Sequence, residues 1–277
     1  MRLLVLSDTH VGHPGWDGFG ERVFSKARKR ALEKTPDVVL FCGDLVEEGK
    51  GSNKRLSDGL KLLQNIPARK RLWVAGNNDL EPLYGKAPFE EYMGVLQEQA
   101  IRYDVHLLDY EPFVTEGFAF VGNFAGWDLS LWEEPVDKDP RWPSTYKSLY
   151  EGMDRWHQEK VGLGIREMFN LFQRRLRKHL KQMSGHKIIL TTHTVPTKNM
   201  ILYGHSPDFD FRNSAMGWED LSTGRPLHEN SDVVLQFCGH THRSKHINRP
   251  GWSSLINVSG KDQPFIFDLQ GKSGNFG

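Results

Sequence analysis

The sequence predicts a layered α/β sandwich built on two sheets, and three observations carry that prediction. Short runs rich in Val, Leu, Ile and Phe recur along the chain. Early on, helical patterns separate them, as in βαβ units. In the second half several runs follow one another with little helix between, which points to more antiparallel pairing.

In chain order, LLVLS is a strand, 21 to 34 a helix, VVLFC a strand, 54 to 66 a helix and RLWVA a strand. FVTEGFAFVG, KIILTT, VVLQFC, SSLINVSG and PFIFDL supply the later strands. From Ser144 to Gly185 the pattern is helical, with Ile165, Met168, Phe169, Phe172, Leu176, Leu180 and Met183 at three- and four-residue steps forming a core-facing stripe. The opposite face, with Arg174, Arg175, Arg177, Lys178 and Lys181, reads as a solvated surface or a phosphate-holding one. Glu133 to Pro143 and Pro196 to Asn230, rich in Pro, Gly, Asp and aromatics, read as long loops of the kind that form lids or binding surfaces. The expected organisation is one domain over 1–270, with a loop and helix insertion at about 127–185, a lid-like loop at about 196–230 and a frayed tail, GKSGNFG.

Among 277 residues, 35 acidic side chains nearly cancel 36 basic ones, so bulk charge selects neither a nucleic-acid nor a membrane partner. MRLLVLSDTH has no signal-peptide pattern and no stretch approaches a membrane span, so the expected location is the cytoplasm. The two cysteines, in FCGD and FCGH, read as small buried packing residues rather than a disulfide or a thiolate site.

The residues just after the apolar runs carry the chemistry. LLVLS leads to Asp8 and His10, VVLFCG to Asp44, RLWVAG to Asn77, Asn78 and Asp79, KIILTT to His193, and VVLQFCG to His240 and His242. In α/β sheets the crevice beyond the carboxyl ends of the strands gathers residues distant in sequence. The glycines before Asp44, Asn77 and His240 permit sharp turns and close approach. Singly, each motif is an ordinary cap, turn or satisfied histidine; in this order, each at a strand end, they form a set. Carboxylate, imidazole and carboxamide donors without a thiolate cluster suit Mn, Fe, Zn or Co rather than calcium or a structural zinc. Asp8, His10, Asp44, Asn77, His193, His240 and His242 exceed one ion's needs and match two, if Asp44 bridges them. The residual positive charge of such a site attracts an anion and stabilises charge building on a phosphoryl group.

The set Asp8-Thr9-His10, Gly43-Asp44, Gly76-Asn77-Asn78-Asp79, His193 and Gly239-His240-Thr241-His242 resembles the calcineurin-like metallophosphoesterase superfamily. The resemblance implies a four-layer αββα sandwich of two mixed β-sheets with a dinuclear site on its rim. It implies one metal on Asp8, His10, Asp44 and His242, and the other on Asp44, Asn77, His193 and His240. Manganese heads the candidate metals, with Fe, Zn, Co or Ni as the others. Where many members have His after the Asn, this chain has Asn78, which can hydrogen-bond a phosphate but transfers no proton at neutral pH.

The expected activity is hydrolysis of phosphate mono- or diesters, a metal-bridging hydroxide attacking phosphorus. Asn78 is expected to hold a non-bridging oxygen. Asp79 either steadies His10 or another imidazole from behind or caps a turn. His205, in YGHSPDF, is the candidate proton donor or an ordinary loop histidine, and His13 is a weaker candidate. Trp127 and Asp128 shape the substrate mouth or pack beneath a loop. The expected partner is a phosphorylated small molecule or a phosphoprotein, and no membrane. A nuclease using Arg174 to Lys181 as a DNA track is the second reading, and a fold-retaining interaction scaffold the third.

Overall fold

The computed structural model describes residues 1–47, 52–80, 89–126, 151–152, 154–155, 157–159, 162–196, 200, 232–247, 254–259 and 264–269. The first half runs β1 (Arg2–Leu6), α1 (Phe19–Lys34), β2 (Val38–Cys42), α2 (Ser52–Gln64), β3 (Lys70–Val74), the short α3 (Asn77–Leu80), α4 (Phe89–Arg102) and β4 (His106–Leu107). Then come β5 (Phe113–Thr115), β6 (Phe118–Asn123), α5 (Ile165–Gln182), β7 (Lys187–Thr192), β8 (Val233–Cys238), β9 (Lys245–Ile247), β10 (Ser254–Asn257) and β11 (Phe265–Asp268).

Two mixed sheets result. The first has the order β11-β1-β2-β3-β4 and the second β5-β6-β7-β8-β10-β9. In the first sheet β1, β2, β3 and β4 are parallel and β11 closes the edge antiparallel to β1. The second is parallel through β6, β7, β8 and β10, with β5 and β9 antiparallel at its edges. Antiparallel pairing in the second half is thus confined to edges. The crossover through α5 makes β6 and β7 parallel where a short hairpin would have made them antiparallel.

Strand alternation divides the apolar side chains into layers. Leu3, Val5, Val38, Leu40, Leu72 and Val74 point inward and meet Phe120, Ile189, Leu235, Phe237 and Ile256 of the other sheet. Their neighbours Leu4, Leu6, Val39, Phe41 and Trp73 point outward, onto Phe24, Ala27 and Ala31 of α1, Leu56, Leu60 and Leu63 of α2, and Met93, Leu96 and Ala100 of α4. On the far side Ala119, Val121, Ile188 and Leu190 pack against Leu176 and Leu180 of α5. These are the four layers, helix, sheet, sheet and helix, that the resemblance implies. Cys42 and Cys238 are buried and free, as packing residues.

The α5 stripe faces the core as its spacing predicts, with Phe169 and Met183 at its margins. Although it falls inside the expected 127–185 insertion, α5 is itself the outer layer over β6 and β7. α4 was not among the expected elements, although Met93, Leu96 and Ala100 recur at helical spacing, nor were β4 and β9, which are too short to show alternation. Residues 127–150 and 201–231, most of the expected insertion loop and lid, lie outside the described residues.

Candidate metal centre

Five strands, three from one sheet and two from the other, bring their carboxyl ends to a common rim, and after β1, β2 and β8 the backbone turns left-handed. Asp8, His10, Asp44, His240 and His242 all have positive φ, from 43° to 73°. A non-glycine residue in that region costs about 1 to 3 kcal/mol, and such strain clusters where geometry serves function. Backbone bonds hold these turns together: Asp8 N–H donates to Gly43 O at 2.9 Å, His10 N–H to Asp44 O at 3.1 Å, and Gly239 N–H to His193 O at 2.9 Å. Two glycines make the approach possible. A Cβ at Gly43, φ +92°, would stand 2.3 Å from His193 Nδ1, and one at Gly239 would stand 2.2 Å from Ser7 Oγ.

The turns converge two groups of donors. Ligand atoms of Asp8, His10, Asp44 and His242 lie within 4.8 Å of one another, as do those of Asp44, His193 and His240, so Asp44 belongs to both. Asp44 Oδ2 is 3.7 Å from His10 Nε2 and 3.4 Å from His193 Nε2. Asp8 Oδ1 is 3.5 Å from His242 Nε2, and Asn77 Oδ1 is 3.2 Å from His193 Nε2. All seven predicted ligand positions therefore meet.

The donor chemistry fits divalent cations. His193 Nδ1–H donates to the Cys42 carbonyl at 2.9 Å, and His10 Nδ1 is 2.8 Å from Glu47 Oε2. Because both partners are acceptors, the proton sits on Nδ1 and the Nε2 lone pair turns inward. Nitrogens face each other across the site, His10 Nε2 and His242 Nε2 at 3.1 Å, His193 Nε2 and His240 Nδ1 at 3.3 Å. Each such pair can share only one proton, whereas a cation can use both lone pairs.

The electrostatics agree. Burial pulls the His10 pKa down, but the Glu47 hydrogen bond and the charges of Asp44 and Asp8 outweigh it and push it up to about 9. Burial likewise works against His193, and Asp44, Asp8 and the Cys42 carbonyl raise it to about 9. Burial, reinforced by neighbouring His193, holds His240 well below the usual histidine value. Asp44 stays ionised: burial opposes its charge, but His193, His10 and His240 pull its pKa down. A buried anionic pocket that captures extra protons on its imidazoles is one where a cation can take their place.

One expectation changes, and of the two readings of Asp79 the turn cap is the one found. Asn78 does not present its amide to an open site: its backbone N–H donates to Asp44 Oδ1 at 3.0 Å and its Nδ2 to Asp44 Oδ2 at 2.7 Å. The α3 turn points both donors at the nearest buried carboxylate, so Asn78 aims Asp44. Asp79 does not steady His10. Its Oδ1 accepts from Val46 N–H at 3.0 Å and its Oδ2 from Gly76 N–H at 2.9 Å, so it is a turn-capping carboxylate. Burial and the Asp44 charge push its pKa up to about 7.

Glu47 stands behind His10 instead, a position without a distinctive sequence signal in DLVEEG. Also unanticipated are Asn257, whose Nδ2 donates to Gly239 O at 3.1 Å and Thr241 Oγ1 at 2.8 Å, and buried Asp109. The Asp109 carboxylate accepts Ala75 N–H at 2.8 Å and Phe124 N–H at 2.6 Å, tying the end of β3 to that of β6. Trp127, Asp128 and His205 lie outside the described residues. His13 lies at the edge of the site, its ring centroid 6.4 Å from that of His10.

On the α5 surface, Arg174, Arg177, Lys178 and Lys181 are exposed. Arg175 pairs with Glu90 and donates to the Asp109 carbonyl at 3.3 Å.

Among known proteins, the model of the calcineurin-like phosphoesterase family matches residues 1–244. The fold is similar to that of a dimetal phosphatase from Danio rerio, with a TM-score of 0.57 at 13% identity, covering 93% of this chain and 86% of that one. It is also similar to a protein of Thermus thermophilus, with a TM-score of 0.55 at 14% identity, covering 93% and 88%. At such identities the likeness is one of fold. No curated protein matches the chain by sequence.

Proposed function

Because this chain belongs to the calcineurin-like phosphoesterase family, we propose that it hydrolyses phosphate esters with two divalent cations, manganese first among them. The observation that carries this reading is the sharing of Asp44 between two convergent donor groups. Asp8, His10, Asp44 and His242 hold one cation; Asp44, Asn77, His193 and His240 hold the other. When bound, the cations lower the pKa of water enough to furnish a hydroxide nucleophile near neutral pH and polarise the phosphoryl oxygens.

The protein's own residues set up that chemistry. Glu47 and the Cys42 carbonyl keep protons on Nδ1 of His10 and His193, so each offers Nε2 inward. Asn78 aims Asp44 through two hydrogen bonds, and His240 N–H holds both oxygens of Asp8 at 3.1 Å. The dimetal phosphatase of similar fold supports a phosphatase reading. The substrate we propose is a phosphorylated small molecule or a phosphoprotein. The complete donor set weighs against a scaffold without catalysis.

Metal analysis of protein purified without chelators, followed by p-nitrophenyl phosphate and bis-p-nitrophenyl phosphate assays with manganese, tests this. About two ions per chain with turnover of either ester supports it. Absence of both metal and turnover would leave the scaffold. A strong diester preference, with binding to DNA that weakens steeply with salt, would favour the nuclease.

A further inference from the structure

Beside the donor groups stands an aromatic wall that metal binding does not require. Trp16 sits edge-on to two of the imidazoles, its ring centroid 5.2 Å from His10 and 5.6 Å from His242. His13 stacks on Trp16 at 4.5 Å with an interplanar angle of 22°. His13 is fixed in turn by Gly15 N–H, which donates to its Nδ1 at 3.0 Å, and Phe19 meets Trp16 edge-on at 5.4 Å. Trp16 is thus held on several sides, yet it is only half-buried, and its neighbours Pro14, Gly15 and Asp17 are exposed. A large apolar ring kept at a rim beside a charged centre suits another ring.

A second observation points the same way. Asn78, which lies against Asp44, carries a carboxamide that cannot transfer a proton at neutral pH. An alkoxide leaves poorly where no other group supplies one. A phenolic oxygen, with a pKa near 10, departs far more readily as its anion.

We propose that Trp16, buttressed by His13, forms a leaving-group subsite for aryl phosphate esters, in which the ring bonded to the ester oxygen stacks against the indole. This rests on the phosphoesterase reading. In the step it serves, the water oxygen bonds to phosphorus and the bond from phosphorus to the aryl oxygen breaks. The electron pair stays on the phenolate, and the proton lost by water reaches it through solvent, giving phenol and inorganic phosphate.

Two measurements on the manganese-loaded protein test the subsite. The first compares kcat/KM for phenyl phosphate and hexafluoroisopropyl phosphate, whose leaving groups are of similar acidity but only one of which has a ring. Trp16→Ala and Trp16→Leu lower the phenyl-to-alkyl ratio roughly two- to tenfold, and Trp16→Phe retains it. The second, independent of turnover, is calorimetric binding of phenylphosphonate against methylphosphonate. The wild type prefers the phenyl compound by roughly two- to tenfold, and Trp16→Leu loses that preference. Turnover with an unchanged ratio and no phenyl preference overturns the subsite while leaving the phosphoesterase reading intact. A phenyl preference that depends on Trp16, in a protein that turns over neither ester, leaves an aryl-binding surface only and overturns the leaving-group subsite together with the phosphoesterase reading.

Discussion

Glu47 Oε2 lies 2.8 Å from Nδ1 of His10 and so determines which nitrogen of that imidazole faces the donor cluster. A carboxylate behind a ligating histidine fixes its tautomer and raises its basicity. Glu47→Gln keeps the shape but can present an amide N–H to the ring. Its expected effect is a loss of roughly 10- to 100-fold in manganese affinity or activity, the order of magnitude usual for such partners. Calorimetric titration of metal into chelator-treated protein measures it, and an unchanged affinity would remove Glu47 from the centre.

Asp44 is common to both donor groups, so its loss cannot be confined to one of them. Asp44→Asn is expected to lower kcat by about a hundredfold or more, because two cations held there would together supply several kcal/mol of charge stabilisation. Elemental analysis of the variant should show both ions depleted. Loss of a single ion, with near-normal turnover, contradicts the bridging role.

Asn78 is 8% exposed and engaged with Asp44, so the residue that aims the carboxylate is also one that has no proton to give. Asn78→His introduces a titratable donor at that place. The dependence of kcat on leaving-group pKa is expected to flatten, with alkyl phosphates gaining about tenfold or more relative to aryl ones, within the range ascribed to general acids. A series of esters of graded leaving-group pKa measures the slope; an unaltered slope means that the position does not reach the leaving group.

Asp109 supplies one separable part of the pH dependence. Burial pushes its pKa up to about 7, against the hydrogen bonds from Ala75 and Phe124 and the charge of Arg175. In the unfolded chain the value is about 3.9. Between the two the folded protein keeps a proton that the unfolded chain has released. The associated stability is therefore full below about pH 4, falls as pH rises towards about 7, and is flat above. Asp109→Asn removes that slope and, by setting an amide against one of two buried backbone N–H groups, destabilises by about 1 to 3 kcal/mol. Urea unfolding of both proteins at about pH 5 and about pH 8 reads the difference, and parallel pH profiles would refute it.

Much of the fold and the donor set was legible along the chain because strands and their ends leave local marks. The continuous apolar runs VVLFC and KIILTT mark strands buried on both faces, and a glycine followed by Asp44 or His240 marks a strand that delivers a side chain to a rim. The long stripe of α5 was legible, whereas the shorter one of α4, Met93, Leu96 and Ala100, went unread; β4, with only two residues, was hidden.

Tertiary structure decided the rest, because hydrogen bonds between distant turns leave no periodic trace. Nothing near Glu47 indicates that it meets His10, 37 residues away, nor anything near Asp109 that it spans the ends of β3 and β6. The identity of Asn78 excluded proton transfer from the outset. That its amide turns onto Asp44, and that Asp79 caps a turn rather than steadying an imidazole, depends on which buried donors and acceptors the packed sheets leave within reach. The order of residues along the chain dictated the kinds of atoms that meet at the rim; packing settled which of them pair, because a buried polar group takes the nearest partner that satisfies it.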